Sequence, residues 1–299
     1  MSRIITAGLD GSLESLAAAE WAAREAQRRG IALRLLHAQE EPPPNRAPLL
    51  VPENLLRKAE DILETAAAEL RERHPELEIT TERVTGRAST AVPEATAEDE
   101  LLVLGTRGLG NLAGFLIGSV ALPIVARSGI PVVLVRAGEQ AADEHRPEEA
   151  DPESETAPYR DVVLGVDISR PCDELLQFAF EAADRRNATL RVIHGWSVPL
   201  VGYESASAIP PVNGELAAQI AGALKDVLSP WRAKFPEVDV VEQAVVGRPA
   251  RHLVDESARA GLMVVGRRLR RSPLGRHIGS VTHAVLHHSA APVAVVPHQ

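Results

Sequence analysis

One cysteine, Cys172, is the whole thiol content of this chain of 299 residues. No internal disulfide can form and no cysteine cluster can hold a metal. Aromatic residues are nearly as scarce, at 3%, so a core has to be built from Ala, Val, Leu and Ile. That suits parallel strands buried under helices on both faces, which read as short aliphatic runs. Long hydrophobic runs are missing too. The longest, Leu112 to Ala126, has 15 residues and contains Gly, Ser and Pro, whereas a membrane helix needs about 20. The opening MSRIITAGLDGS has an acidic residue within ten positions and no cleavage pattern, which argues against a signal peptide. A soluble, cytoplasmic protein with no membrane partner is expected.

Positive charge is in short supply, but unevenly so. Of the net charge of −9, residues 137–158 hold −7, with eight Asp and Glu against one Arg. The remainder is close to neutral, which argues against a nucleic-acid surface. The acidic stretch AGEQAADEHRPEEADPESETAP has Pro and no aliphatic periodicity, and reads as a solvated, extended linker over 138–158.

What the sequence does have is a repeat. Shifted by 157, residues 2–38 fall on 159–195 with eleven identities, among them Gly8/Gly165, Asp10/Asp167, Ser12/Ser169 and His37/His194. Shifted by 161, residues 105–136 fall on 266–297 with eleven more. Chance would give roughly two or three in such a block. The chain is a duplication, with units at 1–137 and 159–299.

Each copy alternates strand and helix. In the first, strand Arg3–Leu9 is followed by a helix that Ser12 can N-cap and Gly30 ends. The second copy ends that helix at Asn187, the other residue that readily adopts a left-handed cap. Next come strand Ala32–Ala38, helix Glu53–His74, strand Leu77–Val84, a short helix near Ser89, strand Leu101–Leu104, helix Ser119–Arg127 and strand Pro131–Arg136. Five strands separated by crossovers predict an α/β fold, a doubly wound parallel sheet, in each copy.

The loop after the fourth strand runs from Gly105 through Arg107, Gly108, Gly118 and Ser119 to Val120, as G-x2-G-x9-G-S. Glycines let the backbone approach a ligand closely, their N–H groups can line an anion-holding concavity, and Gly118-Ser119 is placed to open a helix. In doubly wound sheets the ligand crevice lies where strand order reverses, which would bring Asp10 and Gly105 together.

GLDGS after strand one, LLHA at the end of strand two, TGR before the short helix, the loop motif and the closing IPVVLV together resemble the universal stress protein family. The resemblance covers both copies and leaves out the linker. It implies a five-stranded parallel sheet of order 3-2-1-4-5 in each copy, with ATP between strands one and four. Asp10 would lie by the ribose and its Mg²⁺-linked phosphates, with Gly8 and Leu9 also in the binding site. The Ala38 backbone would meet adenine, and Gly105, Arg107, Gly108, Gly118, Ser119 and Val120 would cradle the phosphates. The corresponding positions of the second copy are Asp167, Gly195, Gly266, Arg268, Gly279, Ser280 and Val281. The resemblance further implies that the last strands, Pro131–Val135 and Pro292–Val296, meet edge to edge, protecting two sheet edges. Further pairing into a homodimer is left open.

The second copy departs from the pattern at Leu269, which stands where Gly108 stands; if that position needs positive φ, a leucine is strained there. Arg267, Arg268, Arg270 and Arg271 could compensate by charge or simply be solvated. RRLRR lacks aromatic neighbours for stacking bases. His283 and His287 are spaced as zinc ligands can be, without a Glu in the zinc-protease position. Cys172 lies near a helix N-terminus that could lower its pKa. Asp10 and Asp167 could instead be Asx-type turn residues. No general base or Ser-His-Asp order is evident, so little or no ATP hydrolysis is expected. The alternatives are a nucleotide-independent dimerising scaffold, and an adenylate-forming or nucleotide-hydrolase enzyme, whose Ser-Gly-Gly-x-Asp-Ser loop matches GLDGS only at Asp and the last Ser.

Overall fold

The computed structural model describes residues 4–40, 53–106, 118–146, 157–196, 212–269 and 278–299. Arg107, Gly108, Arg270 and Arg271 lie outside them. The first copy contains β1 (Ile4–Gly8), α1 (Leu13–Arg29), β2 (Ala32–Gln39), α2 (Glu53–Arg73), β3 (Ile79–Thr85), α3 (Ala88–Ala95), β4 (Leu101–Thr106), α4 (Ala121–Arg127) and β5 (Val132–Arg136). The second contains β6 (Asp161–Gly165), α5 (Asp173–Asp184), β7 (Leu190–Trp196), α6 (Val212–Lys234), β8 (Val240–Val246), α7 (Pro249–Glu256), β9 (Ala260–Arg268), α8 (Ser280–His288) and β10 (Val293–His298).

Local chemistry sets the helix ends. Ser12 caps α1, its Oγ accepting the Ser15 N–H at 3.2 Å. Gly30 closes α1 at φ 64°, and Asn187 adopts φ 46° just beyond α5, as their residue types predict. The buried side of α1 is largely alanine (Ala18, Ala19, Ala22, Ala23 and Ala26 around Trp21), so the helix axis can lie close to the sheet.

The ten strands form one sheet, ordered β3-β2-β1-β4-β5-β10-β9-β6-β7-β8. Each half has the expected 3-2-1-4-5 order, and all pairs within a half are parallel. The halves meet through β5 and β10, which pair antiparallel with Val133 opposite Ala294. Apolar side chains fill both faces, and each of the two core layers draws on both halves: Val133 and Ala294 in one, Leu134 and Val293 in the other. Among the described residues no helix is long and apolar enough to cross a membrane.

A second, ionic layer spans the seam. Arg186, beyond α5 and 3% exposed, donates from Nη2 to Glu25 Oε2 of α1 at 2.6 Å. Glu25 also accepts from Arg29 at 2.7 Å and Arg28 at 3.2 Å. Glu144, 1% exposed, takes Arg24 on Oε1 at 2.9 and 2.7 Å and Arg28 on Oε2. Burial alone would raise the Glu25 pKa, but Arg186, Arg29 and Arg28 more than reverse it and hold the carboxyl below the ordinary range. Glu144 belongs to the stretch expected to be a solvated linker. Instead Ala141–Glu144 forms a short 3-10 helix, and His145 bridges to Tyr159. The physical reason is charge: two guanidinium groups of α1, Arg24 and Arg28, are buried beside Glu144 and are partnered by its carboxylate.

Candidate functional site

In the first half, a pocket of 170 Å³ opens at the C-terminal ends of β1 and β4. This is where the strand order reverses, with β2 on one side of β1 and β4 on the other. Gly8, Leu9 and Asp10 form one wall, Gly105 another, Ala38 and Ala88 the far side, and Gly118, Ser119 and Val120 the lip. Every described residue expected at the first site is therefore brought together.

Their roles differ from the expectation at several points. Leu9 is buried, so only its backbone is available; its N–H donates to Leu36 O at 2.8 Å and its carbonyl meets His37 Nδ1 at 2.8 Å. The second copy repeats this clamp, with His194 Nδ1 3.0 Å from Val166 O. Asp10 is exposed, and its Oδ1 accepts the Ser12 N–H at 3.0 Å and the Ser12 hydroxyl at 2.5 Å. It is thus an Asx-turn residue as well as a pocket residue, and so is Asp167 with Ser169.

The glycines sort into two kinds. A Cβ on Gly105 would lie 2.4 Å from the Glu14 carbonyl carbon, so this glycine lets α1 sit against β4; close ligand approach is not what requires it. Gly118 is different. It has no positive φ, and among the described residues nothing lies within 4 Å of where its Cβ would be. The helix expected from Ser119 begins at Ala121, and Val120 at its cap position provides no side-chain bond. Ser119 and Val120 are exposed at the pocket lip.

The second pocket is larger, 430 Å³, and contains Asp167, Gly195, Gly266, Arg268, Gly279 and Val281. Ser280 opens α8 and is exposed, but it is not part of the wall. Pro249 stands where Ala88 stands, and a Cβ on Gly195 would lie 2.5 Å from the Pro249 Cβ. Ala38 and Ala88, which line the first pocket, are thus exchanged for Gly195 and Pro249 in the second. Leu269 is not strained: Asn187 is the one described non-glycine residue at positive φ, and the Leu269 N–H donates to His298 O at 2.6 Å, continuing the ladder of β9 and β10.

Arg267 does not serve the pocket either. It is 3% exposed and turns to the opposite face, donating to Ala126 O at 3.1 Å and to Ser128 O at the C-terminal end of α4. Alternation along β9 puts Gly266 and Arg268 on the pocket side and Arg267 on the seam side. Counting residues from Gly266 was the only signal for this in the sequence. Cys172 caps α5, with Sγ accepting the Leu175 N–H at 3.4 Å. Burial pushes its thiol up to about 11, with Glu174 adding to the rise, opposite to the direction expected from a helix N-terminus.

Comparison with known proteins agrees with this architecture. A model of the "Universal stress protein family" matches residues 1–136 and 158–297. Universal stress protein Rv2005c of Mycobacterium tuberculosis is 33% identical over 302 residues, spanning 97% of this chain and 96% of the relative. Universal stress protein Rv2623 of the same species is 31% identical over 300 residues, spanning 97% and 95%. Among solved structures, a universal stress protein from Archaeoglobus fulgidus superposes with a TM-score of 0.73 at 17% identity, covering 100% of this chain and 99% of that one. A functionally unknown protein, PA1789 of Pseudomonas aeruginosa, gives 0.59 at 17% identity, covering 99% and 92%. With two matched regions, full-length relatives and two copies of one sheet, the chain belongs to the universal stress protein family as a tandem of two domains.

Proposed function

We propose that the first pocket binds ATP with Mg²⁺, and that the chain is a cytoplasmic, nucleotide-dependent stress-response protein with little or no hydrolysis. The observation that carries this reading is Gly118. Its φ does not require glycine, no described atom lies within 4 Å of where its Cβ would stand, and Gly118 lines the crevice between β1 and β4. A glycine at the lip of such a crevice lets a ligand approach the backbone closely.

The residues present also fit the metal. Mg²⁺ is usually held by one or two carboxylates plus substrate phosphates, keeping its remaining waters. Asp10 and Glu14 line the first pocket, and among the described residues no group of three or more metal-binding side chains exists. The ion would therefore come with the phosphates and meet Asp10, supplying charge neutralisation. The chain's own part is to hold the Leu9 carbonyl through His37, orient Asp10 through Ser12 and leave room at Gly118.

Acid extraction of the purified chain, with the released nucleotide quantified per chain, tests the reading. One ATP or more per chain, with about one equivalent lost in Gly118→Trp, supports it; no nucleotide and no uptake of ATP with Mg²⁺ refutes it. Turnover at about 1 s⁻¹ or more would instead indicate an enzyme. The second reading is a scaffold that needs no nucleotide. It is favoured by Gly105, whose glycine character is explained by helix packing alone.

A further inference from the structure

The two halves balance their seam charges differently. Arg29 of α1 has an acid of its own half, Glu100, whose Oε1 accepts from Nη1 at 2.7 Å. Arg186 aligns with Arg29, but Gly261 stands where Glu100 stands, and Arg186 pairs instead with Glu25 of the first half. Arg24 and Arg28, whose side chains are each 11% exposed, take a carboxylate from outside the two repeats, that of Glu144.

A short attachment brings Glu144 there. Gly138 turns the chain after β5 at φ 80°, and Asp143 Oδ2 accepts the Gln140 N–H at 2.9 Å. Arg160, just before β6, donates its N–H to Glu144 O at 2.8 Å and its Nε to His145 O at 2.8 Å. Gly261 leaves room for this: a Cβ there would lie 3.2 Å from Glu144 O and 3.4 Å from Arg160 Cβ. The rest of the segment is loosely held. Gln140, Ala141, Ala142 and Asp143 are exposed, and Glu139 and Asp143 line a cavity of 230 Å³ together with Arg160, Ser257, Ala260 and Ala291 of the second half. That side is therefore not close-packed.

Glu139 makes the attachment sensitive to protons. Among the described residues, the charged groups around it are Arg24 on α1, Arg136 at the end of β5, Asp143 and Glu144 on its own segment, and Arg160 across the cavity. Burial, then Asp143 and Glu144, push its carboxyl up to about 7 against Arg24 and Arg136. His145 is engaged elsewhere, with Nδ1 2.6 Å from Ala157 O and its ring 4.2 Å from that of Tyr159. In a released segment Glu139 returns to water and to the ordinary carboxylate range of about 4.3. The attached form's advantage is therefore complete below that range and is lost as pH rises to neutrality.

We propose that residues 139–145 form a clasp on the seam, fixed to α1 through Glu144, which opens locally and more often as pH rises through neutrality. Opening uncovers Arg24 and Arg28 and leaves the halves joined by β5, β10 and the Arg186–Glu25 pair. The clasp does not depend on either crevice binding a nucleotide.

Hydrogen exchange of the full chain tests this, read by mass spectrometry on peptides covering 139–146 and 158–160 and corrected for the intrinsic rate at each pH. These amides should be at least about a hundredfold less protected than those of β1 and β4, the mark of a local opening. Their protection should fall about tenfold from pH 6 to pH 8 and little further by pH 9. Glu139→Gln, which keeps the shape of the protonated acid, should flatten that fall to within about twofold. Glu144→Gln should lower protection about fivefold or more already at pH 6; if that variant does not fold, the parent and Glu139→Gln still decide. Protection equal to that of β1 and β4, no change between pH 6 and pH 8, an undiminished fall in Glu139→Gln, or a folded Glu144→Gln chain protected like the parent overturns the clasp.

Discussion

A methyl group added at Gly105 meets the α1 backbone at 2.4 Å, and one added at Gly118 meets no described atom. The two glycines of one sequence motif therefore answer to different constraints, and substitution separates them. Gly105→Ala forces α1 off β4 and is expected to cost about 1–3 kcal/mol, the usual range for overpacking a fitted interior. Gly118→Ala should change stability by no more than about 0.5 kcal/mol, as for an unconstrained surface site. Urea denaturation of both variants checks this; equal losses would show that Gly118 also serves packing.

At the scale of elements, the seam between the halves depends on the β5–β10 pairing and on what crosses it. Val133 and Ala294 are fully buried opposite one another. Val133→Asp puts an unpaired carboxylate there and should cost about 3–5 kcal/mol, separating the halves or unfolding the chain. A melting temperature and hydrodynamic radius like the parent's would count against the seam as drawn. Arg267 joins β9 to the last carbonyls of α4. Arg267→Met keeps its bulk but leaves buried carbonyls unsatisfied, and should lower stability by about 2 kcal/mol. Arg267→Lys should recover only part of this, because one ammonium cannot fork between two carbonyls as a guanidinium does.

For the whole molecule, Glu25 and Glu139 predict how stability varies with pH. Glu25 is held low by its arginines. Its contribution is present above the unfolded carboxylate pKa of about 4.3 and lost as pH falls below that. Glu139 goes the other way. Burial, then Asp143 and Glu144, push it up to about 7 against Arg24 and Arg136. Its contribution is complete below about 4.3 and lost as pH rises through about 7. Thermal stability should therefore decline from pH 5 to pH 8, and Glu139→Gln should remove most of that decline. The parent and variant curves compared over this range decide it; parallel curves would mean that Glu139 is not held in its protonated form.

The duplication, the strand order of each half, the helix caps at Ser12, Gly30 and Asn187, and the clustering of Asp10, Ala38 and Gly118 were all legible in the sequence. The caps follow from local chemistry, whereas the strand order and the place of Ala38 were legible only through the resemblance to a family whose motifs the chain carries in order. Arg186 against Glu25, Glu144 inside the supposed linker, and Arg267 on α4 were not legible, because each joins residues more than a hundred positions apart. Whether a charged residue is solvated or buried depends on what the other half of the chain places beside it. The sequence by itself determined two units and the place of a pocket in each. Only the tertiary structure decided which charges hold the halves together, since the partners of Arg186 and Arg267 come from the other half of the chain.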